Sequence, residues 1–297
     1  MKKSHKAYYL IELSIVILVI SLIIGAAAKT GSVAIRKMRL ETAKSATLSS
    51  PVASISDLKL WVETSLDNST ALSSSDTVVD TWYDINPQSK TKHNLVSQSA
   101  TTLSSTSYET LAINDLPALY FSTENYFSVT KPEMLTNTSY TVFIVEKPSA
   151  GVYGSDSAAQ LMGSNSASSN INLVYNNHSL SDNYHNKIRA VAFSGSSHVE
   201  FTHNFLFNSA NIHSLKFNQT DNNYYYWLNG GSSYEASGTR GTSSTASCKP
   251  CSNTQTIGGY GYRGYISEII IFGRSLNDAE RQDVENYLSK KYAISIS

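Results

Sequence analysis

The most uniform stretch of the chain is apolar. Residues 13–28 read LSIVILVISLIIGAAA, interrupted only by Ser14 and Ser21 and carrying no charge. Extended back to Ala7, the run is long enough, at about 1.5 Å per residue, to cross a bilayer core as a helix. Lys2, Lys3 and Lys6 precede it. Flanking positive charge stays cytoplasmic, so the rest of the chain is expected in the periplasm or outside. Ala26, Ala27 and Ala28 imitate a signal-peptide cleavage site, but no polar spacer closes the segment. Residues 29–48 remain compatible with a helix, because Val33, Ile35, Met38 and Leu40 are interleaved with Arg36, Lys37, Arg39, Glu41 and Lys44. Gly25 and Gly31 each cost a helix interior about 1 kcal/mol relative to Ala, which softens it locally. Pro51 cannot continue the helix and drives Ser50 towards an extended backbone, so a domain boundary is drawn there.

Beyond Pro51 the rhythm changes to short alternating runs separated by Ser, Asn, Asp and Gly. Strands are expected over 58–62, 118–121, 140–146, 171–175, 189–193, 213–217, 224–228 and 265–272. In Thr141-Val142-Phe143-Ile144-Val145 both faces are apolar, which suits a strand buried on both sides. Asn229-Gly230-Gly231 is a tight-turn signal. The Ser/Thr stretches at 97–107 and 237–247 read as exposed loops. Regularly spaced strands without helices between them argue for a two-sheet sandwich. One helix closes the chain, with Asn277 as N-cap, Glu280 in capping-box position, and acidic and basic residues in its first and last turns. Val284, Tyr287, Leu288, Lys291 and Tyr292 form its docking stripe.

Composition narrows the function. The 297 residues carry 23 basic and 23 acidic side chains, so there is no basic surplus to serve a nucleic-acid partner. Two Cys exclude a disulfide scaffold and a four-thiolate zinc site. A polar remainder rich in Ser, Thr and Asn, with 19 Tyr, is hydrated more by hydroxyls and amides than by charge, as is usual outside the cytoplasm.

Glu12 is the residue that changes the reading of the apolar run. A carboxylate at bilayer centre costs roughly 2.5–3.5 kcal/mol on insertion scales and calls for a partner. The segment Lys6-Ala7-Tyr8-Tyr9-Leu10-Ile11-Glu12-Leu13, followed by the apolar run, resembles the leader of type IV prepilins and pseudopilins. The resemblance implies a prepilin peptidase cutting between Ala7 and Tyr8, with Ala where the family usually has Gly. It also implies N-methylation of Tyr8 and a fifth-position Glu12 that pairs with a neighbouring subunit's Tyr8 ammonium and sets fibre register. The implied organisation is a leader over 1–7, a pilin-like transmembrane and extended helix over 8–50, and a separate domain over 53–297.

A second resemblance covers that domain. Leu58-Lys59-Leu60-Trp61-Val62, Trp82-Tyr83-Asp84, Leu116 to Phe121 and Tyr140 to Val145, then Ile257-Gly258-Gly259, Gly264 to Phe272 and Leu276 to Tyr292, resemble a laminin-G-like domain of the concanavalin A-type lectin and glucanase group. The implied fold is mainly β, a concanavalin A-like jelly-roll sandwich between the pilin-like helix and a short C-terminal helix. The family is compatible with Ca2+ held by Asp and Asn loop oxygens, although no calcium-loop spacing is readable. Fold does not settle function.

The residues argue against catalysis. Glycoside hydrolysis needs two carboxylates facing each other across a cleft, whereas Glu268 and Glu146 each stand alone in their strands and Glu268 reads as a satisfied fold carboxylate. His198, Glu200 and His203 read as solvated side chains before a metal site. No phosphate loop or nucleophile elbow is present. Cys248 and Cys251 sit in a Ser/Thr-rich loop without the helix N-terminus that redox CxxC chemistry requires, which favours a small disulfide clamp over catalysis. The candidate ligand-binding residues are aromatic and polar: Asp221, Asn222, Tyr224, Tyr226 and Trp227, with Tyr260, Tyr262 and Tyr265, although strand alternation sends about half of such aromatics inward. The expected protein is a pilin-like subunit displaying a lectin-like domain for adhesion, or as part of a type IV pilus or type II secretion pseudopilus. Its expected partners are the prepilin peptidase, other pilin-like subunits, membrane lipid and a glycan or host-surface protein. The alternative is a non-polymerising inner-membrane anchor with a periplasmic binding domain; a secreted hydrolase is weaker.

Overall fold

The computed structural model describes residues 32–73, 77–99, 106–122, 125–130, 139–149, 159–163, 173–176, 187–190, 199–201, 207–221, 223–237, 254–258 and 261–297. Ala7, Tyr8, Glu12, Asn222, Cys248, Cys251 and Tyr260 lie outside them, as do His198 and His203. Two compact units are formed, Met1–Thr42 and Ala43–Ser297. In the first, the described residues belong to helix α1, which runs over 32–48 and leaves Val33, Ile35 and Met38 exposed. No helix among the described residues is long and apolar enough to cross a membrane; the apolar run lies outside them.

The second unit begins inside α1, ahead of Pro51. Ala43 and Thr47 are buried, and Lys44 meets Asp67 at 2.6 Å. Ser50 is extended (φ −70°, ψ 149°), as the following proline demands, and caps a 3-10 turn, Pro51–Ala53. There follow β1 (Leu58–Glu63), β2 (Thr70–Leu72), β3 (Val79–Trp82), β4 (Leu95–Ser99), β5 (Ser107–Ile113), β6 (Leu116–Phe121), β7 (Asn125–Thr130), β8 (Tyr140–Pro148) and β9 (Ala159–Gly163). The remainder are β10 (Leu173–Asn176), β11 (Lys187–Ala190), β12 (Val199–Phe201), β13 (Asn211–Asn218), β14 (Asn223–Leu228), β15 (Tyr234–Ser237), β16 (Thr254–Gly258), β17 (Gly264–Phe272) and helix α2 (Asp278–Tyr292).

The strands form two antiparallel sheets. One has the order β15-β14-β13-β8-β17-β6-β5, with β1 also on β17; the other has the order β12-β11-β10-β9-β16-β7-β4-β3-β2. β8 covers one edge of β17, while β6 pairs with residues 264–266 and β1 with 268–272 on the other. A register shift between Ile266 and Glu268 marks the changeover. Such a bulge re-aims a side chain, here the carboxylate of Glu268.

Alternation along β8 explains its uninterrupted apolar run. Val142 and Ile144 join the core shared by both sheets, with Phe121, Phe127, Leu161, Leu215 and Ile257. Phe143 and Val145 belong to a second core, with Ile270, Phe272 and Val284, Leu288 and Tyr292 of α2. The first sheet is therefore buried on both faces, by its partner sheet and by α2. The capping box on α2 is formed: Asn277 Oδ1 accepts from the Glu280 amide at 2.9 Å, and Glu280 Oε2 accepts from the Asn277 amide at 3.2 Å. Asn229 and Gly230 both take left-handed φ values, 51° and 66°, as the tight turn requires.

Several strands were not legible. Residues 97–107, expected as loop, begin in β4 and end in β5. Gln98 and Val96 face outward while Leu95 is wholly buried with Ser97 on its side, so a valine on the wet side and a serine on the inner side blur the alternation of a half-buried strand. Polar residues among the apolar ones likewise hide β7 and β16, and β2 is only three residues long.

Candidate functional site

At one margin of the doubly covered sheet the strands bring two tyrosines together. β17 sets Tyr265 opposite Tyr120 of β6 and Lys147 of β8, and the two phenol rings stand 5.1 Å apart at 51°. Arg263, exposed on the approach to β17, donates from Nε to the Tyr120 hydroxyl at 2.9 Å. Lys147 Nζ lies 6.0 Å from the Tyr265 ring centre and donates to the Ala112 carbonyl at 3.3 Å. Tyr120, Tyr265 and Arg263, with Glu109, Ser149 and Asn208, line an open pocket of about 380 Å³, within the size range of small-ligand sites.

The backbone around the pocket is tied down. The Ser149 amide donates to the Arg263 carbonyl at 2.9 Å, and the Asn208 amide, in a left-handed residue, donates to the Pro148 carbonyl at 2.7 Å. Gly264 permits the close approach: a Cβ there would stand 2.7 Å from the Lys147 carbonyl oxygen and 2.8 Å from the Tyr262 hydroxyl. Burial, then the charge of Glu109 and the neighbouring Tyr120, raise the pKa of Tyr265. Hydrogen bonding to Tyr120 strengthens the Arg263 cation. The site thus offers two aromatic faces, a guanidinium and a carboxylate.

Tyr262, one residue before Arg263, points the other way. Its hydroxyl donates to Glu146 Oε2 at 3.0 Å, deep between the sheets. The same carboxylate accepts from Tyr175 at 2.7 Å and Asn211 at 3.1 Å, and meets His213 Nε2 at 2.9 Å. His213 Nδ1 lies 2.8 Å from the Tyr226 hydroxyl. A buried carboxylate is tolerable only when so satisfied. Burial first, then the charge of Glu146, pushes the Tyr175 and Tyr262 hydroxyls well above their ordinary pKa.

A carboxylate pair lies under α2. Glu63 and Glu268 oppose each other across β1 and β17, and Lys291 Nζ sits between them at 2.9 and 2.8 Å, all wholly buried. Trp61 Nε1 (2.7 Å), Tyr287 (2.8 Å) and Tyr292 (3.0 Å) also donate to Glu268. Burial disfavours the Glu63 carboxylate, but Lys291 and hydrogen bonds from Ser65 and the Leu66 amide prevail and hold its pKa below the usual range. Burial likewise opposes the Lys291 cation, and the two glutamates overcome it and raise its pKa.

The expected binding residues divide. Tyr224 (3% exposed), Tyr226 (1%) and Tyr262 (0%) are core residues, a correction to their reading as ligand contacts: positions 224, 226 and 228 share the face turned to the other sheet. Trp227, on the opposite face, is covered by the Arg281 guanidinium at 4.3 Å and stacks with Tyr225. Asp221 is exposed in the turn before β14, where it accepts from the Asn223 amide and the Tyr225 hydroxyl. No cluster of three metal-ligating side chains occurs among the described residues. Of the aromatics singled out, Tyr265 lines the pocket. Arg263, Tyr120, Glu109, Ser149 and Asn208 were missed, although the Gly-Tyr-Arg-Gly approach to a strand, with one cation amid tyrosines, was a signal for the first.

No family model and no curated protein matches the chain. Solved structures do. A Trypanosoma rangeli sialidase in complex with sialic acid is 12% identical, with a TM-score of 0.50 over 80% of this chain and 33% of its own. A botulinum neurotoxin serotype D binding domain is 13% identical, with a TM-score of 0.50 over 80% of this chain and 52% of that one. Domain 4 of an extracellular arabinanase from Geobacillus stearothermophilus, in complex with arabinotriose, is 11% identical, with a TM-score of 0.50 over 77% of this chain and 98% of that one. The chain thus spans about a third and half of the first two, and nearly all of the third. At these identities the likeness establishes the fold, a β-sandwich of the kind found in lectin and glycosidase proteins.

Proposed function

We propose that this protein is a pilin-like or pseudopilin subunit whose β-sandwich, of the concanavalin A-like jelly-roll kind, binds glycans without cleaving them. The observation that carries the recognition half is the pocket: paired Tyr120 and Tyr265 rings beside an exposed Arg263 suit the apolar faces and hydroxyls of a sugar. Arabinotriose, bound by a domain of similar fold over nearly its whole length, and sialic acid, bound by a sialidase a third of which has this fold, support the same ligand class. Binding without turnover rests on the commitments of the placed carboxylates. Glu63, Glu146 and Glu268 are sealed in satisfied networks, and among the described residues Glu109 is the one acidic side chain lining the pocket, where hydrolysis needs a pair. The display half rests on the Ala7-Tyr8 junction, Glu12 and the apolar run.

The deciding experiment screens the full chain, purified in detergent, on a glycan array with an assay for new reducing ends. Wild type should bind without releasing sugar, and Tyr265→Ala should bind at least tenfold more weakly. Sugar release, or an array blank for wild type, would refute the reading. Mass spectrometry of the native protein tests the display half: the mature chain should begin at Tyr8, and an intact Met1 in a cell with a prepilin peptidase would refute it.

A further inference from the structure

We infer that the glycan bound in the Tyr120–Tyr265 pocket carries a carboxylate, as a sialic or uronic acid residue does, and that Arg263 is its specificity-determining contact. The inference rests on the glycan reading above and adds the charge of the ligand. Among the described residues no carboxylate pairs with Arg263; its hydrogen-bond partner is the Tyr120 hydroxyl, which engages Nε. Held by Nε, the planar guanidinium keeps its terminal amino groups for a ligand, and two parallel N–H bonds match a carboxylate better than any single hydroxyl. A neutral sugar could be held by the rings, Asn208, Ser149 and Glu109 alone, and would leave this cation unused.

The opposite charge in the pocket sets a direction. Ser107 is the register partner of Tyr120, and Glu109 is the partner of Ala118, so Glu109 stands two residues further along the same face, roughly 7 Å away by strand rise. An acidic sugar lying over the rings would place its carboxylate at Arg263 and its hydroxyls at Glu109, which can only accept hydrogen bonds when ionised. Lys147, beside Tyr265, adds positive charge on the same margin of the sheet. Reversed, the ligand would set carboxylate against carboxylate, so the pocket recognises one orientation.

The test measures affinity of the full chain in detergent for sialyllactose, a glucuronic-acid-terminated disaccharide, lactose, and sialyllactose whose carboxylate has been reduced to the alcohol. One or both acidic probes should bind, and comparing them tells sialic from uronic acid. Reduction to the alcohol and Arg263→Ala should each weaken binding at least tenfold, Arg263→Lys should restore part of it, and circular dichroism should be unchanged because Arg263 is exposed. If neutral glycans on the array bind, Tyr265→Ala abolishes that binding and Arg263→Ala leaves it intact, the glycan reading stands and the acidic ligand is refuted. If no glycan binds at all, both fall.

Discussion

The two faces of the first sheet each bury a carboxylate system, and they solve the same problem by different means. Towards the partner sheet, Glu146 is dissolved in hydrogen bonds from Tyr175, Tyr262 and Asn211, with His213 as a neighbour. Towards α2, Glu63 and Glu268 face each other and are held by one lysine. The first system draws its donors from loops and several strands, including the residue before Arg263, and so shapes the pocket. The second fastens a helix. Its attraction is ionic, and removing one member strands the others in a medium that cannot solvate them.

The largest effect should therefore come from Lys291→Met, which leaves two opposed buried carboxylates. A loss of about 3–5 kcal/mol is expected in urea unfolding, much of it recovered when Glu63→Gln and Glu268→Gln are added; a loss confined to a few tenths would mean that the cluster is not buried as described. Titration probes the same cluster. Glu63 has a folded pKa below its unfolded value near ~4.3, so its contribution is present above that value and is lost as pH falls through the folded pKa. Lys291 has a folded pKa above its unfolded value near ~10.4, so its contribution is full below that value and is lost as pH rises through the folded pKa. The urea midpoint should hold between these limits and fall on both sides, and Lys291→Met should lessen the alkaline decline without abolishing it, because the buried hydroxyls of Tyr175, Tyr262, Tyr287 and Tyr292, whose folded pKa values are also raised, lose their contribution on the same side.

Glu146→Gln should be milder in stability and more costly in binding. The amide replaces one acceptor oxygen by a donor among groups that already donate, an expected loss of about 1–3 kcal/mol. Released from Glu146, Tyr262 no longer fixes Arg263, so affinity should drop even at temperatures where the variant is fully folded. Binding equal to wild type would separate the inter-sheet network from the pocket. The smallest effect expected is that of Asn277→Ala, about 1 kcal/mol for a lost N-cap, read as a lower melting temperature with binding unchanged.

Particular residues show where sequence reading stopped. Asn277 and Glu280, three apart, announce a capping box because both partners are local, and the structure has it. Val142 to Val145 announce a doubly buried strand because the pattern is carried by the strand itself. Tyr224 to Trp227 announce only that two aromatics go each way; which pair meets the core depended on pairing with β13 and on the face its neighbours present. Lys291 reads both as a cation suited to the last turn of a helix and as part of its docking stripe, but nothing local shows that it is buried between glutamates 228 and 23 residues away in the chain. Arg263 reads as a loop residue until Tyr120, 143 residues earlier, is found beside it.

What the sequence by itself determined is whatever depends on period and neighbour: the apolar run with Glu12, the helix ended by Pro51, the mainly β domain, the turn at Asn229-Gly230 and the capped final helix. Only the tertiary structure decided which face of each strand is inside, which carboxylates share a lysine, and that Tyr120, Tyr265, Arg263 and Glu109 meet in one pocket. The physical reason is range: dihedral preference and alternation act within a few residues, whereas buried charge and ligand geometry are fixed by sheet register between segments far apart in the chain.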